Sequence, residues 1–549
     1  MNPLFTLVCF TSILFADSAT INIDLSTFHP GDENSNVLKH YYNITDRITA
    51  INVARIADDV GFFVIQAHTF IENVTLSNST QPVEGSSSTG TNIGLVWLAK
   101  EQKWEPFARF YLTRNAPIDN SIRLLLVINV YDERDPVPGG CNLSFETDIA
   151  PYQIAEYTDD VIIVKSQPPS VDGSGRCDDK KVQVDLYHLY LGERDNTIES
   201  YFDNIEKMLS VRDIMGHGTM VPDVDVKRKY SRMYSSYRGT GEVFAVISKF
   251  GNGTSAYVPA VSYGCDLTKW QDSCLAPVAL HWKFFCAFVL FFGLFICFFG
   301  HRFFKFTLYI ISFSFGLLVT YLVISMEEHF SFTEKTVTAF TVGFIYGIIW
   351  LLIWRRFGIP ILTVTLAFIM FGFLVASLLF NTILVDIHVL TNPVNFWLAF
   401  TSTILLCIIV SMVNMLYGHI SSISCLGAYG AVASFCFYVG GNLPYVFINT
   451  YRRVAVKDFS MAVVDPPMGV IDAMQIILWV LMMTFGIYVQ RRHQMGKPPF
   501  PPNRNASSED GPMNETSETA PLLYPDYPDY VRSPNYSTHG NYYMYSHTG

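Results

Sequence analysis

The hydrophobic pattern of the chain changes character once, near residue 280. Before that point apolar residues come in short runs: Phe62-Phe63-Val64-Ile65, then 122–130, 161–164, 182–191 and 243–247, separated by Gly, Pro, Asn and Ser. Runs of that length bounded by turn formers predict β-strands, and this many of them predict an all-β sandwich region. One stretch breaks the pattern. Ile198, Phe202, Ile205 and Leu209 recur three or four apart behind a polar start, which predicts a helix over 196–210. After residue 280 the apolar runs become long. Seven of them, at about 284–300, 306–326, 336–354, 358–380, 396–417, 420–440 and 469–490, can each cross a bilayer core as a helix.

The ends read differently. Residues 4–15 form an apolar run of signal-peptide length, and Ala16-Asp17-Ser18 follows as a small-x-small site, so residues 1–18 are expected to be a cleaved signal peptide. Residues 491–549 open on Arg491-Arg492 and Pro498-Pro499-Phe500-Pro501-Pro502, then turn polar and Tyr-rich with no apolar period. Such a tail cannot bury enough surface to fold alone and is expected to be disordered and cytosolic. With a translocated amino terminus, His301 to Lys305, Arg355-Arg356 and Arg491-Arg492 fall in the cytosol. That basic bias fits the positive-inside rule, and the lumenal connections carry Glu327, Glu328, Glu334 and Asp386. One connection disagrees: 441–468 is lumenal by count yet carries Arg452, Arg453 and Lys457. A re-entrant element and a basic helix along the interface both account for it, and the interfacial helix is the preferred reading.

The polar region between signal and spans carries five sequons, at Asn43, Asn73, Asn78, Asn142 and Asn252, whereas 282–490 has none. The cluster agrees with a glycosylated, lumenal region. Gly140-Cys141-Asn142-Leu143 and Gly264-Cys265-Asp266-Leu267 are similar tetrads that each follow a strand-like run. They suggest two tandem β-sandwiches, over 19–150 and 151–280, before the seven-span region at 281–490. Four cysteines lie there: Cys141, Cys177, Cys265 and Cys274. Four allow three pairings; Cys265 and Cys274 are near enough to close one loop, which implies Cys141–Cys177 as the second bridge.

Composition narrows function. The chain is 50% hydrophobic but only 15% charged, where soluble domains run near 25%, so lipid-facing surface is implied. A net charge of −11 excludes a nucleic-acid binder acting through bulk charge. No G-x-S-x-G, HExxH, CxxC or Walker loop is present, so no enzyme, cofactor or metal centre is expected. His301, His329, His388 and His419 sit at span ends without HxxxH pairing, and read as solvated or interfacial. Asp132, Glu133 and Asp135 could hold calcium, but a turn is the better reading because Arg134 sits among them. Asp472 is the one ionisable residue placed to lie inside hydrocarbon, as a functional group or as a hydrated cap. Gly343-x-x-x-Gly347 and Gly427-x-x-x-Ala431 suit close helix packing. In the tail, Glu518, Leu522 and Leu523 match the acidic-dileucine pattern that clathrin-adaptor proteins bind. The Tyr524 to Tyr530 repeat offers a phosphotyrosine platform instead.

The strings Asp132-Glu133-Arg134-Asp135-Pro136-Val137-Pro138-Gly139-Gly140-Cys141-Asn142-Leu143 and Phe295-Ile296-Cys297-Phe298-Phe299-Gly300-His301-Arg302-Phe303 are long and unusual. They resemble the transmembrane 7 superfamily member 3 family, and the spans resemble the broader transmembrane-protein-198-like domain. The resemblance implies a multi-pass membrane glycoprotein linked to cell survival, restraint of the unfolded-protein response and secretion in endocrine cells, while the tail pattern sets the expected location, cycling between plasma membrane and endolysosomes. It supplies no catalytic residue. The triplet of rhodopsin-class receptors is absent after span three, where Trp354-Arg355-Arg356-Phe357 stands, so seven spans do not imply such a receptor. The expected role is non-enzymatic recognition of an unknown lumenal or extracellular protein, with membrane lipid as the other partner. A transporter or channel is the alternative.

Overall fold

The computed structural model of the protein describes residues 19–31, 36–101, 107–115, 121–171, 182–222, 230–275, 280–327, 329–385 and 387–495. The signal segment 1–18, Cys177, Glu328, Asp386 and the tail residues Glu518, Leu522 and Leu523 lie outside the described residues.

The strand-like runs are strands. The first sandwich uses β1 (Ala19–Asp24), β2 (Val37–Ile44), β3 (Ile48–Ala54), β4 (Phe62–His68), β5 (Val74–Ser77), β6 (Ser87–Gly90), β7 (Asn92–Leu98), β8 (Phe107–Arg114) and β9 (Ile122–Tyr131). Its sheets run β1-β3-β8-β5-β6 and β2-β9-β4-β7, with β1 parallel to β3 and the other pairs antiparallel. The unbroken apolar run of β9 has a simple cause: both faces are covered. Leu124, Leu126 and Ile128 point into the core between the sheets, whereas Leu125 and Val127 point to a second core on the opposite face.

That second core belongs to the next sandwich, built from β10 (Gln153–Tyr157), β11 (Val161–Ser166), β12 (Gln183–Glu193), α1 (Ile198–Glu206), α2 (Val211–His217), β13 (Thr219–Met220), β14 (Ser231–Ser235), β15 (Thr240–Phe250), β16 (Gly253–Ala256) and β17 (Ala260–Ser262). Its sheets are β10-β11-β14 and β13-β12-β15-β16, with β17 also on β15. The helix expected over 196–210 is two helices. Thr197 caps α1, and Ser210 caps α2 by accepting from the Asp213 N–H at 3.0 Å, so a second N-cap interrupts the period. Phe202, Ile205 and Leu209 are buried as the pattern requires, Tyr201 outside the pattern is buried with them, and Ile198 is exposed.

The long runs are helices: α3 (Leu280–Phe299), α4 (Phe304–Ser325), α5 (Phe332–Phe357), α6 (Pro360–Leu378), α7 (Pro393–Val413), α8 (Met415–Val439), α9 (Tyr445–Ala455) and α10 (Val470–Gln494). Among the described residues six are long and apolar enough to span: α4, α5, α6 with its continuation to Ile383, α7, α8 and α10. In α3 the apolar stretch Lys283–Phe299 is shorter. The connection expected around Tyr417-Gly418-His419 sits earlier. Asn414 alone separates α7 from α8, and a Cβ at Gly418 would lie 2.2 Å from Ser411 O, so glycine is what lets the chain reverse there. The small-residue faces serve packing: a Cβ at Gly343 would meet Phe313 O at 2.9 Å, and one at Gly427 would meet Cys297 N at 2.5 Å.

The chain divides into two compact units. One holds the two sandwiches with residues 380–396 and 439–469; the other holds 285–379, 397–438 and 470 onward.

Candidate functional site

Within the β-rich unit, the connection that breaks the positive-inside rule is fastened to the second sandwich. Residues 445, 449 and 452 recur at helical spacing on α9, and that face is polar and turned inward. Arg452 is buried: its Nε donates to Asp160 Oδ1 at 3.2 Å, Nη1 to Ser235 Oγ at 2.9 Å and Asn449 Oδ1 at 3.2 Å, and Nη2 to the Asp159 carbonyl at 3.2 Å. The Tyr445 hydroxyl accepts from the Arg238 N–H at 3.1 Å, and its ring meets Tyr237 edge-on. Arg453 lies 3.8 Å over the Phe396 ring and donates to Ser460 O. The expected interfacial helix is therefore a strut. A basic face bound for water would have left Arg452 solvated, whereas a carboxylate, two side-chain acceptors and a carbonyl hold it in the protein.

Past α9 the chain pairs with the sheet. Val463 takes one parallel bridge on β14, donating to Met233 O and accepting from Ser235 N, each at 2.9 Å. Phe459 and Val464 bury against Val161. Next in line is Asp465, whose carbonyl accepts from the Tyr190 hydroxyl at 2.7 Å and whose carboxylate lies 3.5 Å from His188 Nε2. The other nitrogen of His188 meets Glu242 Oε1 at 2.8 Å, with both side chains almost wholly buried. Burial opposes charge on the ring, but Glu242 and Asp465 together hold His188 above its ordinary value; burial pushes Glu242 up. This buried ionisable pair escaped the sequence reading, because His188 and Glu242 lie 54 residues apart on adjacent strands.

In the helical unit a second polar line runs along α10. Asp472, Gln475, Gln490 and Gln494 are all buried, at spacings that keep one helix face. The Gln490 amide donates to the carbonyls of Ile296 and Cys297 and to Ser424 Oγ, while its oxygen accepts from the His301 N–H at 2.8 Å. It caps the end of α3, adding to the Gly300 N–H that already reaches the Ile296 carbonyl at 3.0 Å. His301 and His419 are buried with ring centroids 5.7 Å apart, and Gln494 meets His301 Nε2 at 3.0 Å. They are core histidines, not solvated ones; His329 and His388 are exposed. Asp472 is buried in the first turn of α10, where a helix amino terminus favours a carboxylate.

The remaining sequence candidates fall into place separately. Asn43, Asn73, Asn78 and Asn252 are exposed. Asn142 is half-buried: its amide donates to the carbonyls of Phe145 and Thr147, and its oxygen accepts from the N–H groups of Ser144 and Phe145. Cys265 and Cys274 form a disulfide, and Cys141 is disulfide-bonded as well. The acidic turn holds itself together. Asp135 accepts from the N–H groups of Asp132 and Thr254, Asp132 from that of Arg134, and Glu133 pairs with Lys100. Among the described residues no group of three or more His, Cys, Asp or Glu is placed to bind a metal.

Three stretches match described families: residues 33–131 the TM7SF3-like, N-terminal immunoglobulin-like domain, 136–268 the TM7SF3-like, second immunoglobulin-like domain, and 286–491 the TM7S3/TM198-like domain. Transmembrane 7 superfamily member 3 of Homo sapiens is 30% identical over 464 residues, covering 82% of this chain and 80% of that protein. The Rattus norvegicus protein of the same name is 29% identical over 479 residues, 84% of each chain. Two immunoglobulin-like β-domains followed by a bundle of apolar helices, matched along four-fifths of a relative, make this chain a member of the transmembrane 7 superfamily member 3 family of multi-pass membrane proteins.

Proposed function

We propose that this chain is a non-enzymatic membrane glycoprotein whose immunoglobulin-like pair recognises a protein on the lumenal or extracellular side, in a signalling or homeostatic role. By the family resemblance that role is cell survival and restraint of the unfolded-protein response. The observation that carries the reading is the strut. Residues 439–469, which join α8 to α10, are built into the second β-domain through Arg452 and Val463. A load placed on that domain is thereby delivered to the segment between two spans. In cells lacking the protein and carrying a stress-response reporter, wild type should restore restraint and Arg452→Met, expressed at equal surface level, should not. Full rescue by the variant would remove the strut from the signalling route.

The alternative, a transporter or channel, draws on the buried polar face of α10. Ion or solute flux in liposomes that disappears with Asp472→Asn would replace the first reading. For location, cycling between plasma membrane and endolysosomes through Glu518, Leu522 and Leu523 predicts that replacing both leucines with Ala raises the surface fraction. An unchanged distribution would discard the adaptor contact and leave the tyrosine repeat.

A further inference from the structure

We propose that the 439–469 connection is a proton-linked latch on the second immunoglobulin-like domain, closed more tightly by acid through His188 and Asp465. His188 and Glu242 are almost wholly buried on adjacent strands, while Asp465 comes from the connection and is half-exposed. The connection reaches that pair through an electrostatic bridge, 3.5 Å from His188 Nε2 to the Asp465 carboxylate. The groups facing the pair are Tyr190 from β12, Tyr234 and Arg232 from β14, Tyr237 from the turn before β15, and Asp465. The tyrosines are pushed far up by burial and stay neutral, so His188 and Glu242 carry the titration beside the Asp465 carboxylate.

The sign follows from linkage. The Asp465 charge raises the proton affinity of His188, and it raises that of Glu242 as well. If docking Asp465 favours protons on both groups, then protons on either group favour docking Asp465 by the same free energy. Both contributions have one sign. Rising pH removes the His188 proton and leaves two carboxylates flanking a neutral ring, one at each nitrogen, so the latch loosens; falling pH restores the imidazolium and tightens it. Backbone pairing at Val463 and the Arg452 anchor hold the remainder of the strut independently of this proton.

Hydrogen exchange of the full chain in lipid nanodiscs tests the latch, following the peptide 459–468 and correcting for intrinsic pH dependence. Between pH 8.5 and 5.5 wild type should gain about two- to fivefold protection there, the range expected of a half-exposed ion pair. Asp465→Asn, at a half-exposed carboxylate, should fold normally and lose that pH dependence while α9 stays protected. Protection that is flat with pH in wild type, or an unchanged pH dependence in Asp465→Asn, overturns the proposal. His188→Gln supplies the second arm and should give the loosened state at every pH.

Discussion

Replacing Arg452 with Met removes the anchor of the strut while keeping the volume of its stem. Four hydrogen bonds disappear, one of them to a carboxylate, and so does the cation 5.4 Å above the Tyr445 ring. Breaking a buried ion pair by deleting one partner typically costs about 3–5 kcal/mol. Asp160 keeps 36% of its side chain exposed, so water takes over part of its solvation and the lower end applies. The Ser235 hydroxyl still donates to Asn449 at 2.8 Å, which spares one buried group. The expected loss is about 3 kcal/mol of local stability, roughly a 150-fold rise in opening. Membrane proteins often unfold irreversibly, so the readout is hydrogen exchange of peptides covering 445–455 and 231–237 in nanodiscs. Peptides from α4 and α5 serve as the internal reference. Asp160→Asn should perturb the same peptides, and the double variant should fall short of the sum because each change removes the same pair. Less than a tenfold acceleration in Arg452→Met, or strict additivity in the double variant, would refute the anchor.

Three further outcomes are expected. His68 is buried between Asn92 and Gln66, and burial pulls it down to about 4 from an ordinary 6.5; the unfolded chain then binds more protons between those values, so stability of the first β-domain is intact above about 6.5 and falls as pH drops toward 4, by roughly 3 kcal/mol. A pH-flat melting profile for wild type, equal to that of His68→Gln, would contradict this; the sign is opposite to that at His188, so the two effects separate. The Asn142 amide is engaged by two carbonyls, so glycopeptide mapping should find it largely unoccupied beside glycans at Asn43, Asn73, Asn78 and Asn252, and full occupancy would sink that reading. Gly427→Val should destabilise the helical unit by about 1–3 kcal/mol, because its side chain meets backbone of α3 and not a movable chain end; a melting temperature equal to wild type would show that α3 and α8 can separate freely.

The sequence by itself determined the elements. Strand runs at 122–130 and 243–247 and helices of span length followed from local burial patterns, since alternation and run length are properties of neighbouring residues. The two-sided burial of β9 came only with the second sandwich, which covers Leu125 and Val127. What the sequence left open were the partners of polar and charged residues. Arg452 looked like a topology signal or an interfacial cation; its carboxylate partner stands 292 residues away. His188 and Glu242 gave no sign at all, and His301 and His419 read as solvated until Gln490, Gln494 and Ser424 closed around them. Hydrophobic burial is non-directional and leaves a periodic trace along the chain. A buried charge instead needs a few directional contacts from distant segments, and those exist only after the sheets and helices have packed.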